Sequence, residues 1–218
     1  VGPRTLDHVL VTHAHLDHSR SAGAVAKRQQ ATLHCAEGMM RHKALARAPR
    51  KAALSPGRAF ALPDEREGGE LEVLPVALPH DCDPTVAFRL RHGERTAVVL
   101  TDIGRPDPEV ARRLAGAHVL VLEFNHDLRM LENGPYPATL KRRIAGNAGH
   151  LSNDQATRML RALAGESLHT LVLAHLSEHN NRPDIALETA QETLAELGLS
   201  HVRVLVASQD EVGPNLEV

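Results

Sequence analysis

Short apolar, β-branched runs recur along the chain, at residues 8–12, 31–35, 71–76, 85–90, 96–101, 118–124, 170–174 and 202–207. Runs of this length and make-up read as strands, several of them buried on one or both faces. Helical patterns lie between some of them, at residues 17–29, 107–115, 136–145, 153–164 and 183–197. The second follows a Pro-Asp-Pro start signal, and in the last Leu187, Ala190, Leu194 and Leu197 recur near helical spacing. Strands and helices alternate toward both ends, whereas residues 71–100 are strand-rich and read as antiparallel. The mixture predicts an α/β (α+β) fold of sheets covered by helices. No internal repeat or low-complexity tract interrupts it, and Gly and Pro are scattered, so residues 1–218 are expected to form a single domain.

Composition changes this picture in detail. Hydrophobic residues make up 42% and charged residues 24%, enough for a core, but there is no Trp, one Tyr and three Phe. Ala, Val, Leu and Ile must therefore fill the interior. A formal net charge of −2 gives no global field that favours nucleic acid. The distribution is less even. From Gly38 to Pro63 there is no acid, yet Arg41, Lys43, Arg47, Arg50, Lys51 and Arg58 fall there, and residues 64–72 are then acidic. The basic stretch reads either as a solvated helix and loop or as an electrostatic edge for a polyanion.

Two cysteines, Cys35 and Cys82, make no disulfide framework and read as small apolar residues, Cys82 close enough to His80 to tune its loop; a reduced, cytoplasmic chain is expected. No apolar run approaches the ~20 residues that cross a bilayer, and there is no signal-peptide pattern. Val1 is not a natural initiator, and an apolar run begins at Val9, so an upstream segment is expected.

The 15 histidines are the anomaly. His13, His15, Asp17 and His18 follow directly on the first apolar run. In an extended segment residues i and i+2 point the same way, so His13 and His15 present two imidazoles to one metal. Asp17 and His18 come where the chain turns into a helix and face a second metal beside it. Imidazole with carboxylate suits zinc or manganese, and also iron. His8, His34, His42, His92, His118, His169 and His201 lack such a context and read as ordinary surface or partly buried residues.

The run Thr12-His13-Ala14-His15-Leu16-Asp17-His18 resembles the signature of the metallo-β-lactamase superfamily. The superfamily places later ligands near strand ends, and His80, Asp102 and His175 stand in that order. Singly, a histidine after a strand is more often a capped or solvent-facing residue. The resemblance implies one metal on His13, His15 and His80, a second on Asp17, His18 and His175, and Asp102 between the two. Five further segments resemble the YycJ (WalJ) subgroup: Glu123-Phe124-Asn125-His126-Asp127, Gly134-Pro135-Tyr136-Pro137, Leu140-Lys141-Arg142-Arg143-Ile144, Gly149-His150-Leu151-Ser152-Asn153, and His175-Leu176-Ser177-Glu178-His179-Asn180-Asn181. That subgroup implies an αββα sandwich and a metal-dependent phosphodiesterase with 5′-to-3′ exonuclease action on DNA. His150 also matches the histidine that the transfer-RNA 3′-processing ribonucleases place near the leaving group. Two departures stand out. Family members begin with strands and a Gly/Ser/Asn-rich turn before the histidine motif, so the sandwich is expected to lack its first strands. Phe124 replaces a small polar residue and is expected to alter the pocket's edge.

The chemistry expected is hydrolysis of a phosphodiester by a metal-bridging hydroxide, with Asp17 and Asp102 holding the metals and His150 as proton donor. Asn125, His126, Lys141, Arg142, Ser152, Asn153 and Asn180 are candidate substrate contacts, with DNA the favoured partner. His126 and Asp127 read equally as support or phosphate contact at the site and as a turn after a strand; Lys141 to Arg143, beside the His150 loop, read either as phosphate-backbone contacts or as a solvated helix face. His179, Asn180 and Asn181 either order the loop that carries His175 or cap the helix after it. Two other readings remain open: a superfamily hydrolase of a thioester, lactone or β-lactam, and a metal-binding protein without turnover.

Overall fold

A computed structural model describes residues 6–63, 68–216 and 218. The chain start at Val1 and residues 64–67 of the acidic stretch lie outside the described residues.

The first part of the chain forms a small parallel sheet from β1 (His8–Leu10), β2 (Thr32–Ala36) and β3 (Arg50–Leu54), in the order β1-β2-β3. Between β1 and β2 run α1 (Leu16–Ser19) and α2 (Ala22–Gln29). The helix expected over 17–29 is thus two segments, separated at Arg20 and Ser21. Short 3₁₀ turns at Glu37–Met39 and Lys43–Leu45 connect β2 to β3. Gly23 lets α2 approach the second turn closely, because a Cβ there would lie 2.5 Å from the Ala44 carbonyl oxygen. The other sheet has seven strands, in the order β10-β9-β8-β7-β6-β5-β4. They are β4 (Phe60–Pro63), β5 (Glu70–Ala77), β6 (Val86–His92), β7 (Arg95–Leu100), β8 (Val119–Glu123), β9 (Thr170–Ala174) and β10 (Arg203–Val206). Strands β4 to β7 pair antiparallel, as expected for the middle of the chain, and β7 to β10 pair parallel.

Alternation along the strands builds the layers. In β6, Val86 and Phe88 face Ala36 and Leu54 of the small sheet, while Ala87 between them faces the opposite core. That opposite core packs the large sheet against α3 (Pro108–Leu114), α6 (Asn153–Leu163) and α7 (Pro183–Glu196). A third cluster, Val11, Ala26, Leu33, Cys35, Met39 and Leu45, lies on the outer side of the small sheet, under α2. The order is helix, sheet, sheet, helices, which is the αββα sandwich.

Two strands were not expected. β3 and β4 fall in the basic stretch that reads as helix and loop. Both are edge strands, where charged and short residues are tolerated because only one side is paired. Two helices, α4 (Leu128–Asn133) and α5 (Ala138–Ile144), stand beside the C-terminal ends of the parallel strands. The second was expected. The first is started by Asp127, whose side chain accepts from the Met130 amide at 2.8 Å. Among the described residues no helix is long and apolar enough to cross a membrane.

Candidate metal centre

The histidine motif leaves β1 as extended chain, pinned on both sides. Val11 donates to the His34 carbonyl at 2.9 Å, and Val86 donates to the Thr12 carbonyl at 3.1 Å. His13 and His15 therefore point together, with ring centroids 4.7 Å apart. His80, in the loop after β5, joins them at 5.2 and 5.1 Å. His80 Nδ1 lies 3.1 Å from the Gly149 carbonyl, which sets that nitrogen as the donor and leaves Nε2 as a free ligand atom. Only glycine fits at 149, since a Cβ would meet the Ile144 carbonyl oxygen at 2.1 Å.

The second group forms where the motif turns into α1. His18 Nε2 and His175 Nε2 lie 3.4 and 3.6 Å from Asp17 Oδ2. Asp102 stands between the groups. Its Oδ1 is 4.0 Å from His13 Nε2, 3.8 Å from His80 Nε2 and 3.5 Å from His175 Nε2, and its Oδ2 is 3.2 Å from His18 Nε2. Asp102 and His175 follow β7 and β9 in left-handed conformations, φ 61° and 59°. For residues with a Cβ this costs about 1–2 kcal/mol, and such strain gathers at functional sites.

The donor set fits metal ions. His13, His15 and His80 offer ligand atoms within 4.8 Å of one another, as do Asp17, His18 and His175. His13 Nε2 and Asp102 Oδ2 are buried without a hydrogen bond, a costly state that a cation relieves. Burial pushes the His13 imidazole down to about 3, so it stays neutral and able to ligate. His175 behaves oppositely. Burial pulls it down, but the Asp17 carboxylate beside it and the charges of Glu123 and Asp102 win and push it up to about 9. The same contact holds Asp17 well below the usual carboxylate range. Burial would raise Asp102, yet His175, His18 and His13 hold it below its ordinary value. A metal would displace the His175 proton from this cluster.

Two carboxylates here were not foreseen. Glu123 ends β8 and is fully buried. It accepts from the Asp102 amide and, at 2.8 Å, from the Leu151 amide. Its Oε1 lies 3.3 Å from His150 Nδ1 and its Oε2 lies 3.7 Å from His175 Nδ1. The signal was an acid closing the apolar run Val119-Leu120-Val121-Leu122. Asp81 lies 3.5 Å from His15 Nε2 and 3.4 Å from His80 Nε2, and pairs with Arg143.

His150 enters the same pocket, 3.8 Å from Asp102 Oδ1. Burial works against charge on His150, but the close Glu123 carboxylate outweighs it and holds the imidazole above its ordinary value. The cleft, about 570 Å³, is lined by His15, Asp17, Asp102, Asn125, His150 and His175, with Arg143, Tyr136 and Ser177 among the rest. Asn125 donates to the His175 carbonyl at 2.9 Å and so holds that loop.

The other candidate contacts do not line the cleft. His126 is fully buried and bridges to Ser152, which caps α6 by a reciprocal bond with Gln155. Burial pushes His126 down to about 4. Asn153 and Asn181 exchange amide bonds at 3.1 and 2.9 Å, and Asn180 accepts from the Asp127 amide. These asparagines tie the loop after β9 to the loop after β8; the N-cap position of α7 is held by Arg182, whose side chain makes no capping bond. Lys141 donates to the Glu132 carbonyl and Arg142 is exposed, because the phase of α5 turns Arg143 toward the cleft instead. Phe124 does not shape the pocket's edge. It is fully buried in the core on the helix side of the large sheet.

Fold and site together define a metal-dependent hydrolase. The family described as "Beta-lactamase superfamily domain" matches residues 2–176. The chain is 30% identical over 220 residues to the exodeoxyribonuclease WalJ of Streptococcus pneumoniae, covering 99% of this chain and 81% of the relative. It is 30% identical over 194 residues to the exodeoxyribonuclease YycJ of Bacillus anthracis, covering 87% and 71%. The metallo-β-lactamase fold protein YhfI of Bacillus subtilis superposes with a TM-score of 0.67 at 18% identity, over 93% of this chain and 75% of that one. The chain belongs to the metallo-β-lactamase superfamily, and within it to the YycJ-like proteins.

Proposed function

We propose that this hydrolase is a phosphodiesterase that uses two divalent metal ions and acts on nucleic acid, DNA before RNA. His13, His15 and His80 would hold one ion, Asp17, His18 and His175 the other, with Asp102 shared. When bound, the ions supply an activated water and neutralise charge that develops on a phosphoryl group. The observation that carries the choice of substrate is His150, paired with buried Glu123 inside the cleft. An alkoxide leaving from phosphorus needs a proton, whereas a thiolate leaving from a thioester is a weak base and does not. A histidine whose protonated form is favoured by a buried carboxylate suits the first reaction. Glu123 would orient that imidazole and stabilise its charge, while also fixing the Asp102 amide. The exodeoxyribonuclease relatives support the same reading.

The test compares the metal-loaded protein and a His150→Ala variant on duplex DNA and on a thioester. The expected result is cleavage of DNA, and a loss of about 10²–10⁴-fold in the variant with its metal retained. Hydrolysis of the thioester but not of DNA would overturn the proposal.

A further inference from the structure

We propose that the exposed face of α2, with the turn at Lys43–Leu45, is a track for the sugar-phosphate backbone of the nucleic acid beyond the cleft, contacted by Lys27, Arg28 and Arg47. The inference rests on the nucleic-acid reading of the metal centre.

Charge is the first observation. From His18 to Pro63 the chain carries nine Lys and Arg and a single acid, Glu37, in a protein whose formal net charge is −2. This stretch makes up most of the small-sheet layer. Within it Arg50 is committed to the Gln30 carbonyl and Thr32, and Lys51 to the Met40 carbonyl. Lys27, Arg28 and Arg47 are exposed, and none forms an ion pair with a carboxylate among the described residues. A surface helix laced with acid–base pairs would be electrically neutral; this one is not.

Shape is the second. Ala24, Lys27, Arg28, Gln30 and Arg47 line an open hollow of about 570 Å³, with no carboxylate in its wall. The close approach at Gly23 locks α2 to the turn that precedes Arg47, so the three cations sit on one rigid body.

Continuity with the cleft is the third. Only Arg20 and Ser21 separate α1 from α2. Ser19 is buried in α1, and Ala22, Gly23 and Ala26 are buried in α2. Ala24, Lys27 and Arg28 lie on the exposed side of α2. Asp17 lines the metal cleft. The exposed cations of α2 therefore follow the cleft residue Asp17 in the chain, beyond a two-residue joint.

The test measures binding of a duplex DNA with phosphorothioate ends by the metal-loaded protein over a salt series. The wild type is compared with a Lys27→Gln/Arg28→Gln/Arg47→Gln variant and with Lys27→Arg. The triple variant is expected to bind about tenfold or more weakly at 100 mM salt, with a log–log salt slope shallower by about 2–3. Its hydrolysis of bis(p-nitrophenyl) phosphate is expected to be unchanged, and Lys27→Arg to keep the wild-type slope. An unchanged affinity and slope in the triple variant would overturn the track. Failure of the wild type to hydrolyse the small diester would instead contradict the phosphodiesterase reading, and the slope would still decide the track.

Discussion

The two sheets of the sandwich divide the work unequally. The large sheet buries leucine and valine on both faces, and its parallel strands end in Asp102, Glu123 and His175 at fixed positions. The small sheet has three strands and a thin outer cluster built on Ala22, Ala26 and Cys35. It carries His13, His15, Asp17 and His18, and a stretch from His18 to Pro63 in which Glu37 is the single acid. One layer is a rigid frame, and the other is a lighter, basic layer that completes the metal site. Neither holds a whole ligand set. A metal centre at this seam would do two things at once: supply chemistry and fasten the light layer to the heavy one.

Several perturbations break or sharpen that contrast. The largest effect is expected at Asp102, which faces His13, His18, His80 and His175. Asp102→Ala should lower DNA cleavage by more than about 10³-fold and reduce metal content in elemental analysis, while circular dichroism stays native. Chelation comes next. Removing ions present at about a thousand times their dissociation constants should lower stability by about 4 kcal/mol per ion. Amide hydrogen exchange should then rise first in β1 to β3, with β7 to β9 protected. Uniform exchange across both sheets would refute the division.

A smaller effect is expected from acid. His34 stacks on Phe60 at 5.4 Å and lies 3.0 Å from His8. Burial, with the charge of His8, pushes it down to about 4. The unfolded chain takes up this proton below pH 6.5, while the folded chain takes it up only near pH 4. Stability from His34 is thus complete above 6.5 and is lost as pH falls from 6.5 toward 4. His34→Leu should flatten the loss between pH 7 and pH 5 by about 1–2 kcal/mol in urea titrations. An unchanged acid limb would place the weak point elsewhere.

The same contrast explains what was legible beforehand. The strands of the frame announce themselves as Val and Leu runs, and seven ligand candidates stand at or near strand ends in a local pattern. β3 and β4 escaped because edge strands of Arg, Lys, Ala and Pro lack apolar alternation. Glu123 escaped because its burial and its bonds to Asp102 and Leu151 arise only when β7, β8 and the loop before α6 meet. Lys141, Arg142 and Arg143 could not be told apart beforehand, because spacing along a helix does not state which residue faces a cleft built by other strands. The asparagines after His175 carry loop-to-loop bonds that only the folded chain contains.

The most direct test of the two-ion centre at the seam is anomalous diffraction from crystals of the metal-loaded protein. The account predicts two ions flanking Asp102, one against His13, His15 and His80 and one against Asp17, His18 and His175. A single ion, or none between the two sheets, would contradict it.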